Sequence, residues 1–392
     1  MKIIILSAKG VDEFPLKMDK EPQTTLEWLG SAFNKNGFND INVVGGKDIE
    51  KLRLHNLEAN YFYNPKWNET GAIFSLLLVK ELLLSDDCII SYSDVVHRPD
   101  AITNLVEASE DCSILVDSLW KGRYSGRTRL SKSRAEKVIL DNKHIVQKVS
   151  IDESLVEESC SEFAGMIYIS KKVSCDFFQK KENLVFDEKS NESIPYLLNR
   201  LISSNINIKS VDVNGDWAEL DDIKSDGKQI SDFQRFVFGT KSQTLERLKP
   251  VLKIGKILPQ VTFCLDEWRD DSKNILKSIK SSFRNKYVVV RSSTFLEDSL
   301  EQSYAGHFVS KLNINKNDNH NLMSAIEEVI DSYGDNADLK NQILIQPQIE
   351  NVTMAGVLFT CDIRTGAPYY TINYSTSGDT DIVTSGIKGD YN

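Results

Sequence analysis

Four short apolar runs, at residues 2–6, 41–44, 87–91 and 113–116, recur through the first third of the sequence. Stretches with helical spacing lie between them. Residues 24–35 bring Leu26, Leu29 and Phe33 onto one face and close at Asn36-Gly37, and residues 75–84 read as a second helix. Strands separated by helices imply a mostly parallel sheet with helices on both faces. A doubly wound α/β layer of this kind holds its ligands at the carboxyl ends of its strands.

The pattern then changes. Residues 136–151 hold charged, alternating β-like segments, 162–169 a further strand, 194–202 a helix and 206–213 another strand. Residues 224–231 are polar, and the boundary is placed near Phe233, giving domains 1–235 and 236–392. The second begins at Gly239-Thr240-Lys241 and continues with a helix over 245–252 and strands at 260–265 and 287–290. A helix over 321–333 and strands at 343–346 and 355–359 follow. A length of 392 residues suits two or three domains.

Composition excludes several functions. A net charge of −10 argues against a general nucleic-acid binder, which needs clustered Lys and Arg, but leaves room for a nucleotide. No apolar run approaches the roughly 20 residues of a membrane helix, and the N-terminal run is too short for a signal-peptide core. Six scattered cysteines without a C-x-x-C pair, and five dispersed histidines, make no zinc site. These features point to a cytoplasmic protein with reduced thiols that works away from membranes.

The first constellation centres on Cys88-Ile89-Ile90-Ser91-Tyr92-Ser93-Asp94, an apolar strand ending in a carboxylate. Such a carboxylate can hold Mg²⁺ and bridge to phosphates. A lone Asp there is equally a turn or N-cap residue. Two further segments are Asn64-Pro65-Lys66-Trp67 through Ser75-Leu76, and Gly215-Asp216-Trp217-Ala218-Glu219-Leu220-Asp221. Together the three resemble the cytidylyltransferases that activate phosphocholine and sugar phosphates, over about residues 1–235. The resemblance implies a Rossmann-like nucleotidyltransferase fold. It also implies Mg²⁺ ligation by Asp94 and Asp221 with Glu219 close by, and attack of a phosphate oxygen on a nucleoside triphosphate. One departure stands out. Where that family has a Gly-rich loop with an Arg, this sequence reads Ser7-Ala8-Lys9-Gly10-Val11-Asp12-Glu13-Phe14-Pro15. Asp12 and Glu13 would repel a triphosphate, so a non-catalytic ligand-binding module is the alternative.

The second constellation is the string from Val288 to Phe308, with Arg291-Ser292-Ser293, Glu297-Asp298 and Ser303-Tyr304-Ala305-Gly306. It resembles the V-R-S-S-A-T-x-E-D signature of phosphoenolpyruvate synthase and pyruvate phosphate dikinase. Flanking segments agree in order: Gly239-Thr240-Lys241 upstream, then Ile345-Gln346 and Ala355-Gly356-Val357-Leu358-Phe359-Thr360-Cys361-Asp362 downstream. The resemblance covers about residues 237–392 and implies part of an α+β ATP-grasp domain. By it, Lys241 and Arg291 would contact ATP phosphates as the catalytic cations, Gly306 and Ser310 would lie in the nucleotide-covering turn, and Gln346 near the adenine. By itself Lys241 is a solvated residue at a helix start. The family's Mg²⁺-holding carboxylates lie beyond the matching region, so the resemblance implies a longer chain with a phosphohistidine-carrying domain.

The expectation is an ATP-dependent kinase acting on a small molecule, with ATP and Mg²⁺ as cofactors. Its architecture is similar to that of the glutamine kinases of bacterial capsule modification. An active Mg²⁺-dependent nucleotidyltransferase is the alternative for the first domain.

Overall fold

A computed structural model describes residues 1–7, 24–47, 49–54, 57–123, 135–152, 159–180, 193–220, 236–237, 239–250, 252–294, 309–334, 341–360, 367 and 369–376. The chain divides into two compact units, Met1–Gly239 and Thr240–Asn392.

The first unit runs β1 (Lys2–Ser7), α1 (Thr25–Lys35), β2 (Ile41–Gly45), α2 (Ile49–Leu52), β3 (Asn60–Tyr63), α3 (Ala72–Leu78), α4 (Lys80–Ser85), β4 (Cys88–Tyr92), β5 (Val95–His97) and α5 (Pro99–Glu107). It continues with β6 (Cys112–Asp117), α6 (Trp120–Arg123), β7 (Lys137–Leu140), β8 (Val146–Ser150), β9 (Ser161–Ile169), α7 (Lys171–Phe178), α8 (Ile194–Ser203), β10 (Lys209–Asp212) and β11 (Trp217–Glu219).

A nine-stranded sheet has the order β10-β6-β9-β4-β1-β2-β3, with β7 pairing to β9 and β8 to β7. Strands β1 to β4 and the β6–β10 pair are parallel, as the sequence implies, but β9 is antiparallel to both β4 and β6. Period-two alternation explains why the runs are largely apolar. Ile3 and Ile5 pack with α1 and α5, while Ile4 and Leu6 face the cluster built by α3, α4, α7 and α8. A strand buried on both faces leaves no polar side. Helix α1 starts at Thr24, whose hydroxyl accepts from the Glu27 amide.

Gly165 sits at φ +76° inside β9, and a Cβ there would lie 2.8 Å from Val95 Cγ1 and 3.1 Å from Tyr92 Cδ2. The glycine lets β9 pass close behind the β4–β5 turn. Gly165→Ala should destabilise the unit by about 2–4 kcal/mol, combining left-handed strain with overpacking. Thermal unfolding of the variant measures this, and an unchanged midpoint would show that the strand has room to move.

The second unit has α9 (Lys241–Leu248), β12 (Val261–Cys264), α10 (Leu265–Ser282), β13 (Tyr287–Ser293), β14 (Ser310–Asn315), α11 (Asn319–Asp331), β15 (Gln342–Pro347), β16 (Ala355–Phe359) and β17 (Thr371–Ser375). An antiparallel sheet of order β12-β15-β13-β14 carries α10 and α11 on one face. Phe263, Val288, Val290, Ile314, Ile343 and Ile345 point into that core. The alternate positions therefore occupy the opposite face. Strands β16 and β17 form a separate antiparallel pair. Among the described residues, no helix is long and apolar enough to cross a membrane.

Candidate functional site

In the first unit, β4 reaches the carboxyl edge of the sheet at Tyr92, and the chain turns through Ser93 and Asp94 into β5. Strand β11 then lies antiparallel on β5, with Trp217 opposite His97, Ala218 opposite Val96 and Glu219 opposite Val95. The ladder ends with the Leu220 amide donating to the Asp94 carbonyl at 2.8 Å. Thus two segments far apart in sequence bring Asp94 and Glu219 to neighbouring positions. Asp221 lies outside the described residues, as does the loop bearing Asp12 and Glu13.

The pair is backed by Val96, Ala218, Leu220 and Phe236. Phe236 stacks edge-on against Trp28 at 5.3 Å between centroids, and the Arg98 guanidinium lies 4.0 Å over its ring.

Residues that sequence reasoning did not single out complete this edge. The Tyr92 hydroxyl donates to Glu136, 3.2 Å from each carboxylate oxygen. Glu162, buried in β9, stands opposite Asp117 of β6 and Lys137 of β7. Burial first, then the charge of Glu219 and the lesser fields of Glu162 and Asp94, pushes the Glu136 carboxyl up to about 8. Burial and the Glu136 charge likewise raise the Tyr92 phenol. The charges of Glu219, Glu162 and Asp94 thus all bear on Glu136 at one edge of the sheet. Their oxygens are the hard donors that suit Mg²⁺, and a divalent cation would relieve the like-charge repulsion. Among the described residues no three such groups already stand at metal-holding distances. The sequence signal for Tyr92 was its place in the strand preceding Asp94; Glu136 and Glu162 carried none.

In the second unit the sheet face opposite the helices gathers the other candidates. Arg291 pairs across strands with Ser310 of β14 and Leu344 of β15, and Gln346 pairs with Val289. Arg291 and Gln346 lie at positions alternate to the core residues, and Ser310 stands opposite Arg291 beyond a register shift in β14, so all three fall on the face away from α10 and α11. The start of α9 docks on this same face. The Ser242 amide donates to Ser293 Oγ at 3.0 Å, Ser242 Oγ meets Thr262 Oγ1 at 2.5 Å, and Thr240 Oγ1 donates to Gln342 Oε1 at 2.7 Å. Thr240 and Gln243 close a capping box around that end. Lys241 is therefore the first helical residue beside Ser293, and Arg291 lies two residues back along β13, about 7 Å. Gly306 falls outside the described residues.

Comparison with known proteins follows the same division. Residues 266–391 match the family described as pyruvate phosphate dikinase, AMP/ATP-binding domain. The chain is thus similar to a dikinase nucleotide-binding domain over those residues and to a cytidylyltransferase over its N-terminal part. Its N-terminal part is 27% identical over 244 residues to the CTP:phosphoglutamine cytidylyltransferase of Campylobacter jejuni subsp. jejuni serotype O:2, covering 56% of this chain and 96% of that protein. Among solved structures, the inositol-1-phosphate CTP transferase of T. maritima aligns at a TM-score of 0.46 with 18% identity, over 61% of this chain and 96% of that one. The CTP:phosphocholine cytidylyltransferase of Streptococcus pneumoniae aligns at 0.40 with 14% identity, over 60% and 96%. The α/β fold class and the two-part resemblance read from the sequence are both found. Lys241 lies upstream of the matched dikinase residues.

Proposed function

We propose that the chain is a two-site transferase: the dikinase-type domain uses ATP to phosphorylate a small molecule, and the N-terminal half couples the phosphorylated product to cytidylate. The observation that carries the second activity is the β5–β11 pairing, which sets Glu219 beside Asp94 at the carboxyl edge of a nucleotidyltransferase-like sheet. The acceptor most consistent with the curated relative is a phosphorylated glutamine.

In the cytidylyl step a phosphate oxygen of the acceptor attacks the α-phosphorus of CTP, the bond to the β-phosphate oxygen breaks, and pyrophosphate leaves. Asp94, Glu219 and Asp221 would hold Mg²⁺, which supplies charge neutralisation at the reacting phosphates. In the kinase half, Lys241 and Arg291 would grip ATP phosphates, Arg as a bidentate fork and Lys as a point charge, with Gly306, Ser310 and Gln346 around the nucleotide. The phosphoryl group would then pass to a histidine-bearing domain of a longer cytoplasmic protein.

The test is a pair of assays on the chain with Mg²⁺: pyrophosphate release from CTP plus phosphoglutamine, and ATP binding by calorimetry. Arg291→Ala should weaken ATP binding by about tenfold to a hundredfold through loss of a charge-assisted bidentate contact, while leaving CTP turnover intact. ATP binding without CTP turnover would assign the first unit to ligand binding alone.

A further inference from the structure

The turn that feeds β11 is anchored by the buried carboxylate of Asp117, with two partly exposed contacts beside it, the Asn214 amide on Asp212 Oδ1 at 2.9 Å and Arg98 on Asp216 at 3.4 Å. Asp117 closes β6 and is fully buried. Its Oδ1 accepts the Leu119 amide at 2.9 Å and the Gly215 amide at 3.0 Å, and its Oδ2 accepts the Trp217 indole N–H at 2.9 Å. Between those contacts the chain makes a tight turn, with the Asp216 amide bonded to the Val213 carbonyl at 2.9 Å and with Asn214 and Gly215 at φ 48° and 77°. Asn-Gly is the pair that accepts two successive positive φ values at least cost. Trp217 then lies flat against His97, its ladder partner, with centroids 5.8 Å apart and planes at 2°.

This clasp answers a physical problem. A two-stranded pair only three residues long makes few hydrogen bonds, and isolated two-stranded ribbons are marginal. Little in its own ladder prevents slippage, and a one-residue slip would turn every side chain to the other face. Glu219 would then leave its place opposite Val95, one step along the edge from Asp94. Satisfying a buried carboxylate, by contrast, requires that Gly215 and Trp217 stay where they are, because orphaning it in the interior is costly.

We propose that Asp117 is a positioning residue that fixes the register of β11 on β5 and thereby sets Glu219 beside Asp94 for divalent-metal binding. This rests on the cytidylyltransferase reading of the first site. Asp117 touches neither metal nor nucleotide in this scheme; it acts through Trp217 and the turn. It also explains why a tryptophan opens the Trp217–Asp221 segment: the indole N–H is the far end of the clasp.

The experiment compares the parent chain with Asp117→Asn and Trp217→Phe. Asn keeps one carbonyl oxygen for the backbone amides but sets an NH₂ donor against the indole N–H. Phe keeps a ring to stack on His97 and removes the donor. Two readouts are needed: Mn²⁺ binding to the free chain by calorimetry, and the Mg²⁺ dependence of pyrophosphate release from CTP plus phosphoglutamine. Asp117→Asn should weaken Mn²⁺ binding by about tenfold or more, as loss of supporting partners around metal ligands does. The Mg²⁺ concentration for half-maximal release should rise in parallel, with kcat recovering at saturating Mg²⁺. Trp217→Phe should move both in the same direction by less. A folded Asp117→Asn chain with unchanged Mn²⁺ affinity overturns the proposal, as does a loss of kcat that Mg²⁺ never restores and that tracks a fall in the thermal midpoint. A parent chain that binds Mn²⁺ but does not turn over CTP overturns only the functional reading, and the binding comparison still decides the clasp. A parent chain that does neither removes both.

Discussion

Asp94→Asn is expected to lower kcat for pyrophosphate release from CTP by about a hundredfold to a thousandfold, the range seen when one preorganised electrostatic contact to a developing charge is removed. The substitution is nearly isosteric. The Leu220 amide bonds to the backbone carbonyl of residue 94, not to its side chain, so the β5–β11 ladder survives it. What is lost is one negative charge at the edge where Glu219 and Glu136 also act. Fewer like charges there should leave the folded chain as stable as the parent or more so, while metal and triphosphate binding weaken. Activity lost together with a preserved or raised thermal midpoint is therefore the signature of a ligand role. Full activity in the variant would remove Asp94 from the mechanism and leave it as a turn residue.

A second large effect concerns pH. With its carboxyl raised to about 8, Glu136 keeps its proton in the folded chain at pH values where the unfolded chain has lost it. Below about 4.5 both states are protonated and the group contributes nothing to the balance. As pH rises from there, the unfolded state binds fewer protons than the folded state, so stability falls until the folded carboxyl also ionises near pH 8. The accumulated loss is on the order of a few kcal/mol, since each tenfold in acidity is worth about 1.4 kcal/mol. Glu136→Gln, which imitates the neutral acid, should abolish that slope and stabilise the metal-free chain at pH 8 relative to the parent. Denaturant melts of both chains in chelator-containing buffer from pH 5 to pH 8.5 measure it. Parallel curves would mean that the cluster is better solvated than its packing suggests. Adding Mg²⁺ should flatten the parent's curve, because a cation favours the ionised carboxyl.

Much of the fold was legible in the chain. The runs at β1, β2, β4 and β6 are largely apolar because both faces are covered, and the polar residues among them, such as Asn42, Ser91 and Ser113, are buried too. Helix α10 was not read, although it is the longest helix described: only Leu265, Trp268, Leu276 and Ile279 are buried along it, with acidic and basic residues between them and a non-helical Asp271 interrupting the repeat. Helices α5 and α7 likewise went unread; they are only nine and eight residues long. The antiparallel insertion of β9 could not be inferred, since an apolar run is the same in either direction. Of the site, the sequence placed Asp94 at a strand end and Glu219 in a recognisable segment, and it placed Lys241 and Arg291 in ordered motifs.

Local periodicity and turn chemistry determined which residues form strands and helices, and motif order determined the two-part resemblance, because those signals act over a few residues and survive in one dimension. Tertiary structure alone decided that β11 pairs with β5, that Glu136 and Glu162 join Asp94 and Glu219, and that α9 docks on the Arg291 face. Three-residue strands carry too little pattern to name a partner. Charge–charge effects depend on distance in space, which a residue number does not encode.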